Sequence, residues 1–264
     1  MCGRRYVGMT TEREGIDVST QYAVCSTRGE WFFVHLKGEM LHTSTVRILY
    51  IDLASHHGLL ACIEEDRVVA SEHVDHRIGD HELIPLFERL LGVAGWKPAD
   101  LTQIACVTGP GGFMSLRVAV AFANTLIHQL QIPGMGIHLS DLFVARVPEQ
   151  NFLWLHSTKR HELFVRGFGK FQNLWPEAAH VTVEEFMEKM DSLTRRSAPP
   201  SPGGRGNKEP TFFTGELIPE HEVLFKDKEL FPLTLQPLVD ILPAFLAQQH
   251  YEQKLLEPWY GRGW

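Results

Sequence analysis

The chain has 264 residues, enough for one large domain or two small ones. With 44% hydrophobic and 22% charged residues, it is neither globally disordered nor collagen-like nor a coiled coil. A net charge of −7 excludes a basic, nucleic-acid-coating surface, though not a local basic groove.

The opening of the chain reads differently from the rest. Met1–Glu30 is polar, with scattered arginines and no sustained hydrophobic period. Trp31–Leu36 has the composition of one short strand. Residues 1–45 are therefore expected to be an extension of uncertain structure, or in part an upstream misreading of the start before Met40, with an extra hairpin as the alternative. The start has no continuous apolar core of the kind a leader carries. The longest apolar stretch, Val118–Leu130, is broken by Asn124, Thr125, His128 and Gln129. A cytoplasmic location is the expectation.

From Val46 the pattern sharpens. Arg47–Leu53, Gly58–Glu64 and Arg67–Val74 are β-rich runs separated by short polar breaks, which predicts an antiparallel meander. Asp80–Ala94 has helical spacing, with Leu83, Leu86, Phe87, Leu90 and Ala94 on one face. Leu101–Thr108 reads as a fourth strand, followed by the glycine-rich turn Gly109–Gly112. Ser115–Gln131 reads as a helix, Pro133–Ile137 as a short strand and Ser140–Arg146 as the start of another helix. This β-β-β-α-β-α-β order is that of a ribonuclease-H-like lobe, predicted over residues 46–147. A second lobe over 148–264 is less distinct. Asn151–Leu155 and Glu162–Phe168 predict a strand pair, Val183–Leu193 a helix, Thr211–Gly215 a strand and Leu233–Tyr251 a closing helix containing Pro237 and Pro243. Ser197–Asn207 is low in complexity and reads as a flexible insertion. No repeat is visible at the residue level.

Few residues have a context that suggests chemistry. Asp52 ends the first strong strand, where an actin-like phosphotransferase holds a metal–phosphate group; it equally fits a turn-capping aspartate. Gly109, Gly111 and Gly112 precede a helix N-terminus and could cradle an anion or simply turn the chain. The segment matches neither a Walker loop nor GxGxxG. Of the fourteen histidines, the pairs His81-Glu82 and His161-Glu162 are not completed to HExxH, and His73 and His76 sit at a strand end. No metal site is expected in this chain. Cys2, Cys25, Cys62 and Cys106 form no CxxC pair and predict reduced thiols. The helix at 115–131 is apolar around most of its circumference, so it must be covered on more than one side. The second cover is either the helix at 80–94 or a partner. Leu83, Phe87, Leu90, Leu116, Val120, Ala123 and Ile127 are the candidate interface residues.

These segments resemble the TsaB (YeaZ-type) family of the bacterial tRNA threonylcarbamoyladenosine system. The resemblance is carried by RILYIDLAS at the first strand, by the Gly109-Pro110-Gly111 turn with Phe113, Leu116 and Arg117, and by IPGMGIHLSDLFVA after it. Gly112, Met114 and Ser115 depart from the family signature. Ser157, Thr158 and Lys159 stand where the family has an Asp-Ala-Arg turn, while Glu162 and the Glu257-Pro258-Trp259-Tyr260 tail fit. The resemblance implies an actin-like (ASKHA) two-lobed fold with a reduced second lobe. It implies a non-catalytic scaffold that pairs with TsaD and meets TsaE, an ATPase. ATP and metal are then expected in the partner subunits, and tRNA is reached only through the complex. Without TsaD, the same helices imply a homodimer. The alternatives from other classes are an actin-like ATPase or small-molecule kinase using Asp52 and the Gly109–Gly112 turn, and a glycoprotease-type metallopeptidase, which lacks the required histidines.

Overall fold

A computed structural model describes residues 20–25, 31–36, 45–74, 80–196, 210–226 and 229–261. Cys2, His76 and the insertion at 197–207 lie outside the described residues. Met1–Ser44 and Thr45–Trp264 are two separate units. In the first, β1 (Thr20–Cys25) pairs antiparallel with β2 (Trp31–Leu36), Cys25 opposite Trp31.

The second unit contains two five-stranded sheets. The first lobe is built from β3 (Arg47–Asp52), β4 (Gly58–Glu64), β5 (Arg67–Val74), α1 (Asp80–Ala94), β6 (Gln103–Gly109), α2 (Phe113–Leu130), β7 (Gly134–His138) and α3 (Leu139–Val144). The second follows with β8 (Leu153–Lys159), β9 (Glu162–Gly167), β10 (Ala179–Thr182), α4 (Val183–Arg196), β11 (Thr211–Glu216), α5 (Pro219–Lys226), β12 (Leu230–Pro232) and α6 (Leu238–Ala247). The strand orders are β5-β4-β3-β6-β7 and β10-β9-β8-β11-β12. In each, a meander of three antiparallel strands is extended by two parallel strands beside the first. Both lobes therefore have one ribonuclease-H-like topology, and the second is reduced in element length, not in strand number.

The first-lobe sheet is buried on both faces because its apolar runs are continuous. Leu49, Ile51, Ile104 and Cys106 face α1 and α2. Ile48, Tyr50, Ala105 and Val107 face the other way, into a core shared with Trp154, Phe164, Leu242 and Leu246 of the second lobe. A third core, with Leu155, Val165, Phe186 and Phe225, lies under α4 and α5.

On its inner sides α2 is covered within the chain. Its inner side meets β6, Phe122 packs edge-on against Phe87 of α1 at 5.2 Å, and the Asn124 side chain bonds both the N–H and the carbonyl of Leu256. Leu83, Phe87, Leu90, Leu116, Val120, Ala123 and Ile127 are all 5% exposed or less. They belong to the chain's own core rather than to an outer surface. The large apolar side chains exposed on these helices are Ile84, Val93, Phe113 and Met114. The closing helix starts after Pro237, which caps it, and retains Pro243 within. No described helix is long and apolar enough to cross a membrane.

Candidate functional site

A cleft of about 870 Å³ opens between the lobes. Leu139, Leu142 and Phe143 of α3, together with Phe231, Leu235 and Leu238, supply apolar walls. Asp52, His56, Arg146 and Glu216 supply its polar end.

Asp52 is the last residue of β3 and is buried. Its Oδ1 accepts the N–H groups of Ala54 (2.9 Å) and Ser55 (3.1 Å), and its Oδ2 accepts the Ser55 hydroxyl (2.6 Å). This is the turn-capping arrangement. Burial pushes the Asp52 carboxyl up to about 6, Ser55 opposes that, and Glu216 adds to it. Arg146 lies close enough to Glu216, Tyr50 and Asp52 to feel all three, while burial lowers its own pKa.

Parallel pairing of β11 with β8 sets Glu216 opposite His156. Glu216 Oε2 accepts the His56 backbone N–H at 2.7 Å and stands 3.7 Å from His156 Nδ1. His56 Nε2 donates to the Ser157 carbonyl at 3.0 Å. A carbonyl can only accept, so Nε2 carries a proton, and in the neutral tautomer that this bond selects Nδ1 has the lone pair. His156 is fully buried, and neither ring nitrogen has a hydrogen-bond partner among the described residues. Burial holds its pKa down to about 3, with His56 and His138 contributing, so the ring is neutral.

The glycine turn has a different role. Gly109 has φ +137°, and a Cβ there would lie 2.1 Å from the Trp259 carbonyl oxygen. A Cβ on Gly111 would lie 2.5 Å from the Ala54 oxygen. The Trp259 N–H donates to Thr108 O at 2.7 Å. These glycines allow the turn to pack against the Asp52 loop and the C-terminal tail. Gly109, Gly111 and Gly112 do not line the cleft; of the residues singled out for phosphate chemistry, only Asp52 does. Ser157, at the position of the family's Asp-Ala-Arg turn, is buried and accepts the Ile218 N–H through Oγ at 2.9 Å. It ties β8 to the end of β11.

His56, His156 and Glu216 escape sequence reading because they are far apart in the chain. The one local signal is His156, a polar residue inside the apolar run LWLHS. His81-Glu82 and His161-Glu162 stand away from this cluster, and His73 lines the cleft.

Two lobes of one topology around a cleft that receives the end of the first strand define an actin-like α/β protein. Residues 74–217, more than half of the chain, match the model of the family described as "TsaD: tRNA N6-adenosine threonylcarbamoyltransferase", and the chain belongs to that family. It is 36% identical over 129 residues to a tRNA N6-adenosine threonylcarbamoyltransferase of Chromobacterium violaceum, covering 46% of this chain and 37% of that one. It is 33% identical over 100 residues to the tRNA threonylcarbamoyladenosine biosynthesis protein TsaB of Bacillus subtilis, covering 37% of this chain and 43% of that one. The chain spans less than half the length of these relatives. Among solved structures, YeaZ from Pseudomonas aeruginosa superposes with a TM-score of 0.54 at 18% identity, covering 81% of this chain and 99% of that one. A second Pseudomonas aeruginosa structure, described as an uncharacterized protein with similarity to peptidase YeaZ, gives a TM-score of 0.56 at 18% identity. It covers 82% of this chain and 100% of that one. The resemblance to TsaB (YeaZ-type) proteins and the actin-like fold are both borne out.

Proposed function

We propose that this chain is a TsaB-type, non-catalytic subunit for threonylcarbamoyl transfer to adenosine in tRNA, working with a TsaD and a TsaE. The supporting observation is the extent of the matches. The fold corresponds to YeaZ over almost all of that chain. The site points the same way. Asp52 is engaged by its own loop, and Gly109 and Gly111 pack closely against Trp259 and Ala54. In this reading Gly109, Gly111 and Gly112 serve to pack the turn, and they do not line the cleft.

The partner surface in this reading is the outer side of α1 and α2, where Ile84, Val93, Phe113 and Met114 are exposed. The test is reconstitution of tRNA threonylcarbamoylation with the TsaD and TsaE of the same organism, with and without this chain. Modification should depend on the chain, while the chain alone should neither turn over ATP nor modify tRNA. ATP turnover or transfer by the isolated chain would replace this reading with the actin-like ATPase or kinase alternative.

A further inference from the structure

We propose that His56, His156 and Glu216 form a binding site for a divalent transition-metal ion, with Zn2+ as the best fit, joining the two lobes at the polar end of the cleft. One donor atom from each of the three residues lies within 4.8 Å of the other two. Tetrahedral zinc with bonds near 2.1 Å requires donors about 3.4 Å apart, so side-chain adjustments on the order of 1 Å complete the site. Two neutral imidazoles and one carboxylate suit zinc or its neighbours in the first transition series and suit Mg2+ or Ca2+ poorly.

Two independent features of the cluster point to a ligand. His156 is fully buried with both ring nitrogens unpartnered among the described residues. A buried polar atom left unsatisfied keeps its desolvation cost, and a metal bond removes that cost for one nitrogen. His56 has the supporting shell of a metal ligand: one ring nitrogen donates to a backbone carbonyl, fixing the tautomer and leaving the other free to coordinate. Glu216 is held in place by the His56 N–H. Three protein donors leave a fourth position open toward the cleft, where Arg146 and Asp52 also stand. The ligands come from both lobes: His56 from the β3–β4 turn, His156 and Glu216 from β8 and β11. A bound ion would therefore fasten one sheet to the other. This inference is independent of the tRNA-modification reading.

The test uses the full chain, stripped of metal with a chelator and titrated with Zn2+ alone by calorimetry. One Zn2+ per chain should bind at micromolar or lower Kd, Co2+ should give visible d–d absorption on the same site, and Mg2+ should not compete. Glu216→Gln keeps an oxygen that can accept the His56 N–H and removes the charge; it should weaken Zn2+ binding at least tenfold. His56→Gln should do the same. Both positions are partly exposed, so these variants keep the test valid even if His156→Leu fails to fold. Absence of Zn2+ binding in the parent chain overturns the proposal. So does binding that both variants leave unchanged, which would assign the metal to other histidines.

Discussion

The two lobes reach one topology with different means. In the first, α1 has 15 residues and α2 has 18; in the second, α4 has 14 and α5 only 8. The outer strands of the second lobe are short, with β10 four residues long and β12 three. What the lobes share is strand order and one local device: the fourth strand of each carries a glycine at positive φ near its end, Gly109 at +137° and Gly215 at +122°. The difference shows that topology is set by which strands pair and which faces are covered, and that similar residues are not needed. The shared core, in which Trp154 and Phe164 pack with Tyr50 and Val107, makes the lobes interdependent.

That interdependence has a direct test. Val120→Glu places an uncompensated charge in the first lobe and should cost about 3–5 kcal/mol. Phe186→Ala opens a cavity in the second lobe and should cost a similar amount, about 3–5 kcal/mol. Denaturant unfolding followed by tryptophan fluorescence and by circular dichroism should show one coincident transition, lowered by either substitution. Two separated transitions would mean that the lobes fold independently.

The paired glycines give the next largest effect. A Cβ on Gly215 would lie 1.9 Å from Leu155 O, as close a conflict as that of Gly109 with Trp259. Gly109→Ala and Gly215→Ala should each lose about 2–3 kcal/mol in the same denaturation experiment. A change at only one of them would show that the device is not equivalent in the two lobes.

The seam between the lobes should respond to acid. His138 ends β7 and packs edge-on against Trp154 of β8 and Trp259 of the tail. Burial lowers its pKa to about 4, with Asp141 opposing and Arg166 reinforcing the shift. The unfolded chain takes up this proton near 6.5 and the native chain only near 4, so the stabilisation is complete above 6.5 and is lost as pH falls toward 4. Replacing His138 with Gln should reduce the slope of unfolding free energy against pH over that interval, by roughly 3 kcal/mol at its acid end.

The smallest expected change in stability is at Met114, which is 62% exposed. Met114→Glu should shift stability by less than about 0.5 kcal/mol and, if the proposed pairing with a TsaD holds, weaken that association, measured by sedimentation of the mixture. Set beside Val120→Glu, it separates the outer side of α2 from the side that holds the chain together.

The first lobe is more legible in sequence than the second for a physical reason. Gly58–Glu64, Arg67–Val74 and Asp80–Ala94 have the bounds read from the sequence, because continuous burial or a clear amphipathic face marks each of them. Ala179–Thr182, Pro219–Lys226 and Leu230–Pro232 give no such signal. The two strands are short, half-exposed sheet edges, and the helix presents charged Glu220 and Glu222 beside buried His221. Helix α2 is legible as over-covered, but its surroundings are not. Its second cover includes Leu256, brought back from far along the chain. The His56, His156 and Glu216 cluster is invisible for the same reason, since only strand order and register bring the three together.

The returning tail also has a consequence for synthesis. Glu252 bridges to Gly134, Leu256 is held by Asn124, and Trp259 bonds to Thr108 and packs on His138. All of those partners belong to elements made more than a hundred residues earlier. On the ribosome, the first lobe emerges with its α2 flank and the end of β6 still uncovered, and waits through translation of the whole second lobe before they close. During that interval the exposed apolar flank is a site for chaperone capture or misassociation, and residues translated long afterwards complete the first lobe.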